Sequence, residues 1–387
     1  MKILVSAGEA SGDRYAAQLV EEMRRRFPGA EFFGCAGRRL REAGVRPIVR
    51  AEDLAVVGIF EVAAHIPRIY GEFRRLADAA AAERPDLAIL TDAPDFHLRL
   101  AKKLYEAGVP IFYYVAPQVW AWRKGRLRQL RRYVQHLLCI FPFEEQFFRE
   151  HGVAATYVGH PLADEPRETS SRTSYFARHG FDPAKPLIAL LPGSRKGEAA
   201  RHLPVLREVV GLLGRWKPLN FVLPASSTTG GAFFAERIGD LSVQIVEEGA
   251  SQALAQADLA LVASGTATVE AALAGTPMVV FYRVSGPSWV VGKLLVDVPF
   301  YSMVNLMAGR QIVPELIQRD CEAARLAAEA RRLLDDETAR RRMRDDLSAV
   351  GEALRGKESA ARRAADVICE RWQWTGKIPR TDSLVAS

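Results

Sequence analysis

Short apolar runs alternate with longer amphipathic segments in the first part of the chain. The apolar runs predict strands, and intervening segments such as Arg14–Arg26 and Phe96–Ala107 show helical spacing. Such alternation is typical of βαβ units on a parallel sheet. The predicted strands are Lys2–Ser6, Glu31–Cys35, Leu87–Thr91, Ile111–Val115 and Leu137–Phe141.

A second alternating series begins at Leu187 and predicts a second parallel sheet. Before it, from about Ala163 to Pro186, the chain is rich in Pro, Ser, Thr, Arg and Asp and has no clean periodicity, which predicts a domain boundary. From Cys321 to about Trp372 the pattern is helical and strongly charged. The predicted strands of the second series are Leu187–Leu191, Asn220–Leu223, Val243–Val246, Leu259–Val262 and Met278–Phe281.

These patterns predict an α/β protein with two Rossmann-like, doubly wound domains and a ligand cleft between them. We expect an N-terminal domain over residues 1–165, a linker over 166–186, a C-terminal domain over 187–345, and C-terminal helices and tail over 346–387. The C-terminal helices are compatible with packing on the N-terminal domain or with exchange between two protomers, so an oligomer is possible.

Composition narrows the class of protein without deciding its function. A chain of 387 residues with 49% hydrophobic and 26% charged residues is typical of a globular protein of two domains. The four cysteines are far apart and predict isolated thiols, with neither a disulfide framework nor a zinc site. The first residues are too quickly polar for a secretion signal, and no apolar run approaches the roughly 20 residues that span a bilayer, so we expect a cytoplasmic protein. The formal charge of +7 suits a phosphorylated substrate, an anionic membrane surface or nucleic acid.

Two turns of the N-terminal series carry carboxylates at the ends of predicted strands. The first contains Glu9, Ser11, Gly12 and Asp13, where small residues permit close backbone approach; the GxGxxG pattern of a dinucleotide site is absent. The alternative is an ordinary turn in which Asp13 stabilises the helix start.

The second turn places Asp92 directly after the Leu87–Thr91 strand. A carboxylate there faces the predicted cleft and suits general-base removal of a hydroxyl proton. Asp95 is predicted to cap the following helix, and His97, inside its first turn, is either a partner of the site or simply exposed.

After the Ile111–Val115 strand, two tryptophans stand among basic residues. Trp120, Trp122 and Arg123 could contact a sugar or base, or lie at a lipid headgroup boundary. The alternative is a solvated basic helix, with Trp120 and Trp122 packed between the two predicted domains.

The second series contains two turns suited to phosphate. Gly193, Ser194 and Arg195 follow one strand, and the arginine offers a bidentate donor. In the Ser264–Glu270 segment, free backbone N–H groups near Gly265 and Thr266 suit a diphosphate, and Glu270, about one turn into the helix, suits the ribose hydroxyls. Each turn alone could be an ordinary capped turn; the pair predicts a nucleotide-sugar site.

Several motifs in one order resemble the bacterial lipid-A-disaccharide synthase family. The segments that carry the resemblance are GEASGD at Gly8–Asp13, DAPDF at Asp92–Phe96, PQVWAWR at Pro117–Arg123, Gly159-His160-Pro161, LPGSR at Leu191–Arg195, SGTATVE at Ser264–Glu270, NLMAGR at Asn305–Arg310 and PEL at Pro314–Leu316. Val304, where proline is usual, and His97, where asparagine is common, depart from the pattern.

The resemblance implies a GT-B glycosyltransferase that is inverting, metal-independent and without a cofactor. Its substrates would be UDP-2,3-diacylglucosamine and 2,3-diacylglucosamine 1-phosphate (lipid X), and its product a β-1,6 disaccharide. The donor would contact Gly193, Ser194, Arg195, Ser264, Gly265, Thr266, Glu270 and Asn305; the acceptor would contact Glu9, Ser11, Gly12, Asp13, Trp120 and Arg123; Asp92 would be the base, with Arg195 stabilising the departing UDP.

Two other classes of function remain as alternatives. A UDP-GlcNAc epimerase or the peptidoglycan N-acetylglucosaminyl transferase would keep the nucleotide turns but lack DAPDF and VWAWR. A basic membrane-surface or nucleic-acid-binding module would not need paired phosphate turns, and RNP-type motifs are absent from the sequence, so we expect no nucleic-acid partner.

The acyl chains of the implied substrates predict peripheral attachment to the inner face of the inner membrane. The segment Ile59–Leu76 mixes arginines with apolar residues at near-helical spacing, and Pro67 is predicted to start its helix. With the basic run Arg123–Arg132 it would form a cationic, partly apolar face; the alternative is that the apolar stripe is ordinary core.

Overall fold

The computed structural model describes residues 1–54, 59–121, 123–165, 170–226, 228–247, 249–284, 289 and 298–375. The chain forms two compact units. Unit 1 contains Met1–Pro161 and the chain from Gly356 onward, and unit 2 contains Leu162–Arg355.

Unit 1 is built on a sheet of seven parallel strands in the order β3-β2-β1-β4-β5-β6-β7. The strands are β1 Lys2–Ala7, β2 Glu31–Ala36, β3 Arg46–Arg50, β4 Leu87–Thr91, β5 Ile111–Tyr114, β6 His136–Cys139 and β7 Ala155–Tyr157. The helices are α1 Ala10–Arg26, α2 Arg38–Glu42, α3 Ala51–Leu54, α4 Ile59–Glu83, α5 Pro94–Glu106, α6 Leu127–Tyr133 and α7 Pro142–Glu150, with a 3₁₀ helix at Lys124–Arg126. Every position of the central strands β4 and β5 is buried, so both faces of the sheet are covered there.

Unit 2 is built on six parallel strands in the order β10-β9-β8-β11-β12-β13. The strands are β8 Leu187–Leu191, β9 Asn220–Pro224, β10 Gln244–Val246, β11 Leu259–Ala263, β12 Met278–Tyr282 and β13 Glu315–Ile317. The helices are α8 Arg172–His179, α9 Lys196–Gly214, α10 Gly231–Ile238, α11 Ala250–Gln256, α12 Thr266–Ala274, α13 Met303–Ala308, α14 Ala323–Asp335 and α15 Glu337–Leu354, and a 3₁₀ helix spans Pro161–Asp164.

The last helix, α16 (Ala360–Thr375), belongs to unit 1 and packs against α1. Arg26 pairs with Asp366 at 2.5 Å, and the ring of Phe27 meets that of Trp372 edge-on. The chain therefore returns to its first unit after completing the second.

All ten predicted strands are present, and their ends differ from the predicted ones by at most two residues. Three observed strands, β3, β7 and β13, escaped prediction, and each lies at an edge of its sheet. Edge strands are short and partly exposed, so they lack the continuous apolar run that marks a central strand.

Three local expectations were wrong. The segment predicted to be an irregular linker contains α8, whose start is capped by the Ser171 hydroxyl. Helix α4 begins at Ile59, well before Pro67, so the proline lies inside the helix and one backbone hydrogen bond is lost there. Asp95 does not cap α5, because the helix begins at Pro94 with Ala93 as its N-cap residue.

Cys35, Cys139 and Cys321 are buried thiols, and Cys369 is half-buried. Within the described ranges, the structure contains no helix that is both long enough and apolar enough to cross a bilayer.

Candidate active site

The Asp92 carboxylate lies over the turn that joins β1 to α1. Its Oδ1 accepts the backbone N–H of Gly8 at 2.8 Å and its Oδ2 that of Glu9 at 3.1 Å. A Cβ atom on Gly12 would lie 1.6 Å from Oδ2, so only glycine leaves room for the carboxylate. Because β1 and β4 are neighbouring parallel strands, their carboxyl ends bring the GEASGD and DAPDF motifs together.

The backbone of Asp92 is left-handed, with φ +57°, and Ala93 follows at φ +39°. Such residues cost about 1–3 kcal/mol each and persist only where the surrounding structure holds them. Here the Asp92 carbonyl oxygen accepts from His97 Nδ1 at 2.8 Å and from the Tyr113 hydroxyl. Hydrogen bonds to the main-chain oxygen of Asp92 therefore stabilise the left-handed conformation that sets the direction of its carboxylate.

The hydrogen bonds of His97 define its protonation. Since a carbonyl oxygen only accepts, Nδ1 carries the hydrogen toward Asp92, and Nε2 accepts from the Ser6 hydroxyl at 2.7 Å. Burial lowers the pKa of His97 to about 4, which keeps the ring neutral. Both ring nitrogens are thus engaged, and His97 supports Asp92 instead of competing with it as a base. Ser6 and Tyr113 were not found from the sequence because each reads as an ordinary strand residue.

Electrostatics suit Asp92 to proton transfer. Burial raises the pKa of its carboxyl well above the ordinary value, and the N–H groups of Gly8 and Glu9 offset this only in part. A carboxylate whose pKa is raised in this way is a stronger base than an ordinary aspartate.

The remaining polar residues of the β1–α1 turn differ in their exposure to solvent. Glu9 is exposed and Ser11 is half-exposed at the start of α1. Asp13 is buried, and its oxygens accept from the backbone N–H groups of Gly37 at 2.7 Å and Arg39 at 2.8 Å. Asp13 therefore caps α2, a different helix from its own, and burial raises the pKa of its carboxyl.

The loop after β5 is anchored by a buried carboxyl. Trp120 Nε1 donates to Glu144 Oε1 at 3.1 Å, and the indole meets the ring of Phe143 edge-on. Glu144 is 1% exposed, and burial raises its pKa to about 7. Trp122 lies outside the described residues. The sequence did not reveal Glu144, since it reads as an acidic residue in the first turn of α7.

Farther along the same loop, Arg123 adopts a left-handed conformation with φ +58° and pairs with Asp95 at 2.8 Å. Arg126 pairs with the same carboxylate. The PQVWAWR and DAPDF motifs are thus joined by ion pairs.

In unit 2, the LPGSR turn is held by a buried histidine. His202 Nδ1 donates to the Pro192 carbonyl at 2.7 Å, and Nε2 accepts the N–H of Arg283 at 3.0 Å. Gly193 has φ +113°, and a Cβ there would lie 2.4 Å from Glu198 Oε2. Ser194 and Arg195 are exposed on this fixed turn. His202 is a further residue that only the structure reveals.

The SGTATVE turn lies beside it, because β8 and β11 are neighbouring parallel strands. Ser264 Oγ donates to the Tyr301 carbonyl at 2.7 Å. Gly265 and Thr266 are exposed at the start of α12. The N-cap residue is Gly265, so no N-cap side chain accepts hydrogen bonds from the first N–H groups of the helix. Glu270 is half-exposed one turn farther. The two turns predicted to bind phosphate therefore follow the carboxyl ends of two neighbouring strands of the same sheet.

Asn305, predicted to contact the nucleotide, is buried inside the framework of unit 2. Its Oδ1 accepts from the N–H groups of Ile312 and Val313, and its Nδ2 donates to the Val313 carbonyl and to Glu315 Oε1. All four hydrogen-bonding positions of the amide are occupied, which favours a structural role. The Glu315 carboxylate also accepts from the backbone N–H groups of Tyr301 and Ser302. The NLMAGR and PEL segments therefore hold Tyr301, whose carbonyl accepts from Ser264.

Within the described part of the chain, no group of three or more His, Cys, Asp or Glu side chains is placed to hold a metal ion.

A family model described as lipid-A-disaccharide synthetase matches residues 3–368. The chain belongs to this family. The lipid-A-disaccharide synthase of Solibacter usitatus (strain Ellin6076) is 59% identical over 369 residues, covering 95% of this chain and 97% of that relative. The resemblance predicted from the motifs is confirmed.

Solved structures similar to this chain confirm the GT-B fold of two doubly wound units. UDP-GlcNAc 2-epimerase from Neisseria meningitidis bound to UDP-GlcNAc aligns with a TM-score of 0.66 at 12% identity, covering 97% of this chain and 100% of that one. CalG4, the calicheamicin glycosyltransferase, aligns with a TM-score of 0.60 at 17% identity, covering 99% of each chain.

Proposed function

We propose that this member of the lipid-A-disaccharide synthetase family is an inverting glycosyltransferase of lipid A biosynthesis. It transfers 2,3-diacylglucosamine from UDP-2,3-diacylglucosamine to lipid X, forming the β-1,6-linked disaccharide 1-phosphate and UDP. The observation that carries the proposal is the family match over residues 3–368. The position of five family motifs after strands β1, β4, β5, β8 and β11 supports it, since ligands bind at the carboxyl ends of strands in such sheets.

Unit 2 binds the UDP of the donor. The diphosphate meets the N–H groups of Gly265 and Thr266 together with Ser264, and the LPGSR turn (Gly193, Ser194 and Arg195) faces it from the neighbouring strand. Glu270 accepts from the ribose hydroxyls. Arg195 and the positive end of α12 stabilise the negative charge that develops on departing UDP.

Unit 1 binds the acceptor, and Asp92 removes the proton of its 6-hydroxyl. The oxygen attacks the anomeric carbon of the donor, the bond from that carbon to UDP breaks, and UDP leaves with the electron pair. A single displacement inverts the configuration. Glu9, Ser11, Trp120 and Arg123 contribute the acceptor surface, while Gly12 and Asp13 shape the turn beneath it.

The test is UDP release by the purified protein with defined acyl-sugar substrates in detergent micelles. We expect release that requires lipid X, with a β-1,6 product identified by NMR. UDP-GlcNAc, which lacks the acyl chains, is the matched control donor. Release that ignores the acceptor, or epimerisation of the control donor, would contradict the proposal.

Peripheral attachment to an anionic bilayer, at the cytoplasmic face of the inner membrane, follows from the acyl chains of both substrates. On α4, Arg74 lies over the ring of Tyr70, which is 54% exposed, while Arg68 and Arg75 are exposed ion-pair partners. Each cation near an anionic surface adds about 1 kcal/mol. Leu76, farther along the stripe, is fully buried core, so attachment depends on the exposed half of the helix.

Co-sedimentation with phosphatidylcholine vesicles, with and without phosphatidylglycerol, tests the attachment. We expect binding that needs the anionic lipid, falls with salt and is lost when Arg68, Arg74 and Arg75 are changed together to Ser. The control changes three cations of α15 in unit 2, Arg341, Arg342 and Arg344, to Ser. Binding that survives the α4 changes, or that ignores ionic strength, would reject the proposal.

A further inference from the structure

A groove of about 860 Å³ in unit 1 is lined mainly by cations among the described residues. It is formed by the 3₁₀ helix Lys124–Arg126 and the start of α6. Among the residues that the structure describes, those that line the groove include no acidic side chain; they are Arg123, Lys124, Gly125, Arg126, Arg128 and Gln129. Four positive side chains facing one concave surface suit a ligand with more than one negative charge.

Two of these cations are held in place. Asp95 accepts from Arg123 at 2.8 Å and also pairs with Arg126, whose side chain is only 10% exposed. One carboxylate therefore orients two of the four cationic side chains. Held guanidinium groups suit a defined phosphate group, since bidentate binding depends on geometry as well as charge.

The groove is close along the chain to the candidate base. Asp95, which pairs with the groove arginines, follows Asp92 by three residues, each Cα–Cα step being about 3.8 Å. In a glucosamine 1-phosphate the 1-phosphate and the carbon that carries the 6-hydroxyl are attached to the two ring carbons that flank the ring oxygen. An acceptor whose hydroxyl meets Asp92 therefore has its phosphate directed to a neighbouring surface of unit 1.

We propose that this groove binds the 1-phosphate of the acceptor sugar, an inference that rests on the proposed function. A phosphate monoester carries about −1.5 to −2 charges at pH 7 and three strong acceptor oxygens. The same chemistry is offered by the headgroup of an anionic bilayer lipid, and the two sources are separated by the experiment.

The experiment compares lipid X with its dephosphorylated analogue, 2,3-diacylglucosamine, as acceptors in nonionic detergent micelles. In the double variant Lys124→Ser/Arg128→Ser we expect the KM for lipid X to rise about tenfold or more, as the loss of hydrogen bonds to a charged group predicts. The kcat at saturating acceptor, the KM for the donor, and the KM for the dephosphorylated analogue should stay near the wild-type values. The control Lys102→Ser/Lys103→Ser removes two exposed cations from α5, paired with Glu106, and should leave all constants unchanged.

An unchanged KM for lipid X, or an equal rise for both acceptors, overturns the inference. Loss of phosphatidylglycerol vesicle binding in the double variant, with a normal KM for lipid X in micelles, assigns the groove to the bilayer and also overturns it. If the wild-type protein releases no UDP with either acceptor, the proposed function itself is wrong. If the wild type turns over and the double variant has the same constants, only the assignment of the groove to the acceptor phosphate is wrong.

Discussion

His97 Nδ1 donates a hydrogen bond to the main-chain oxygen of Asp92 over 2.8 Å, while the carboxylate of the same aspartate accepts from the turn before α1. The carbonyl and the carboxylate are thus held by different parts of unit 1. Variants at Asp92 and His97 should therefore separate the loss of the proposed base from the loss of its orientation.

Asp92→Asn should lower turnover by about 10²–10⁴-fold, because an amide cannot take the proton of the acceptor hydroxyl. UDP binding, measured by calorimetry, should persist, since the residues proposed to bind the nucleotide lie in unit 2. Near-normal turnover in this variant would exclude Asp92 as the base and direct attention to Glu9.

His97→Phe should lower kcat by about tenfold while leaving the KM for both substrates near the wild-type values. The phenyl ring removes the donor to the Asp92 carbonyl, a loss of about 1.5 kcal/mol. His97→Asn keeps a side-chain donor and should restore most of the rate. If Phe and Asn variants are equally slow, or if only the melting temperature changes, the ring has no positioning role.

Gly12→Ala should abolish turnover although residue 12 itself performs no chemistry. A Cβ there would lie 1.6 Å from Asp92 Oδ2, so the carboxylate must leave its position. Gly71→Ala, on an exposed part of α4 with nothing within 4 Å of the added atom, is the control. Normal kcat in Gly12→Ala would show that the Asp92 position is not required for the reaction.

Arg195→Ala and Glu270→Ala should impair the donor site in different ways. Glu270→Ala loses ribose hydrogen bonds and should weaken UDP binding by roughly 1.5–3 kcal/mol in calorimetry. Arg195→Ala should also lower kcat, because it removes charge stabilisation of departing UDP. Lys196→Ala, at the exposed first residue of α9 next to Arg195, serves as the control. Unchanged UDP affinity in Glu270→Ala would contradict the ribose assignment.

Glu144 should make the stability of unit 1 depend on pH. Its folded-state pKa is raised from 4.5 to about 7, so its stabilising contribution is complete below pH 4.5 and is lost as pH rises through 7. Between these limits the free energy of unfolding of the wild type should fall, relative to Glu144→Gln, by up to about 3 kcal/mol.

Denaturant titrations at pH 5 and pH 8, followed by tryptophan fluorescence, measure this difference. Glu150→Gln, at the exposed end of the same helix, is the control. A wild type and a Glu144→Gln variant with the same pH dependence would show that the buried carboxyl does not titrate in this range.

Local sequence determined the central strands and the places of the loops between them. Runs such as Leu187–Leu191 and Leu259–Ala263 are apolar at every position, as strands buried on both faces require, and small residues mark the turns after them. The motif order also identified the family before any contact was known. These features depend on residues adjacent in the chain, so periodicity and turn chemistry suffice to predict them.

Only the tertiary structure decided which side chains serve the site and which serve the framework. The Ser6 hydroxyl is hydrogen-bonded to His97, which is 91 positions away in the chain. Asp13 caps a helix that begins at Arg38, and the side-chain amide of Asn305 is hydrogen-bonded within its own segment of unit 2. In the sequence Asp13 and Asn305 read as candidate ligands, whereas Ser6 reads as an ordinary strand residue. Whether a polar group binds substrate or backbone depends on what packing places beside it once it is buried, and those partners come from distant segments that local patterns do not identify.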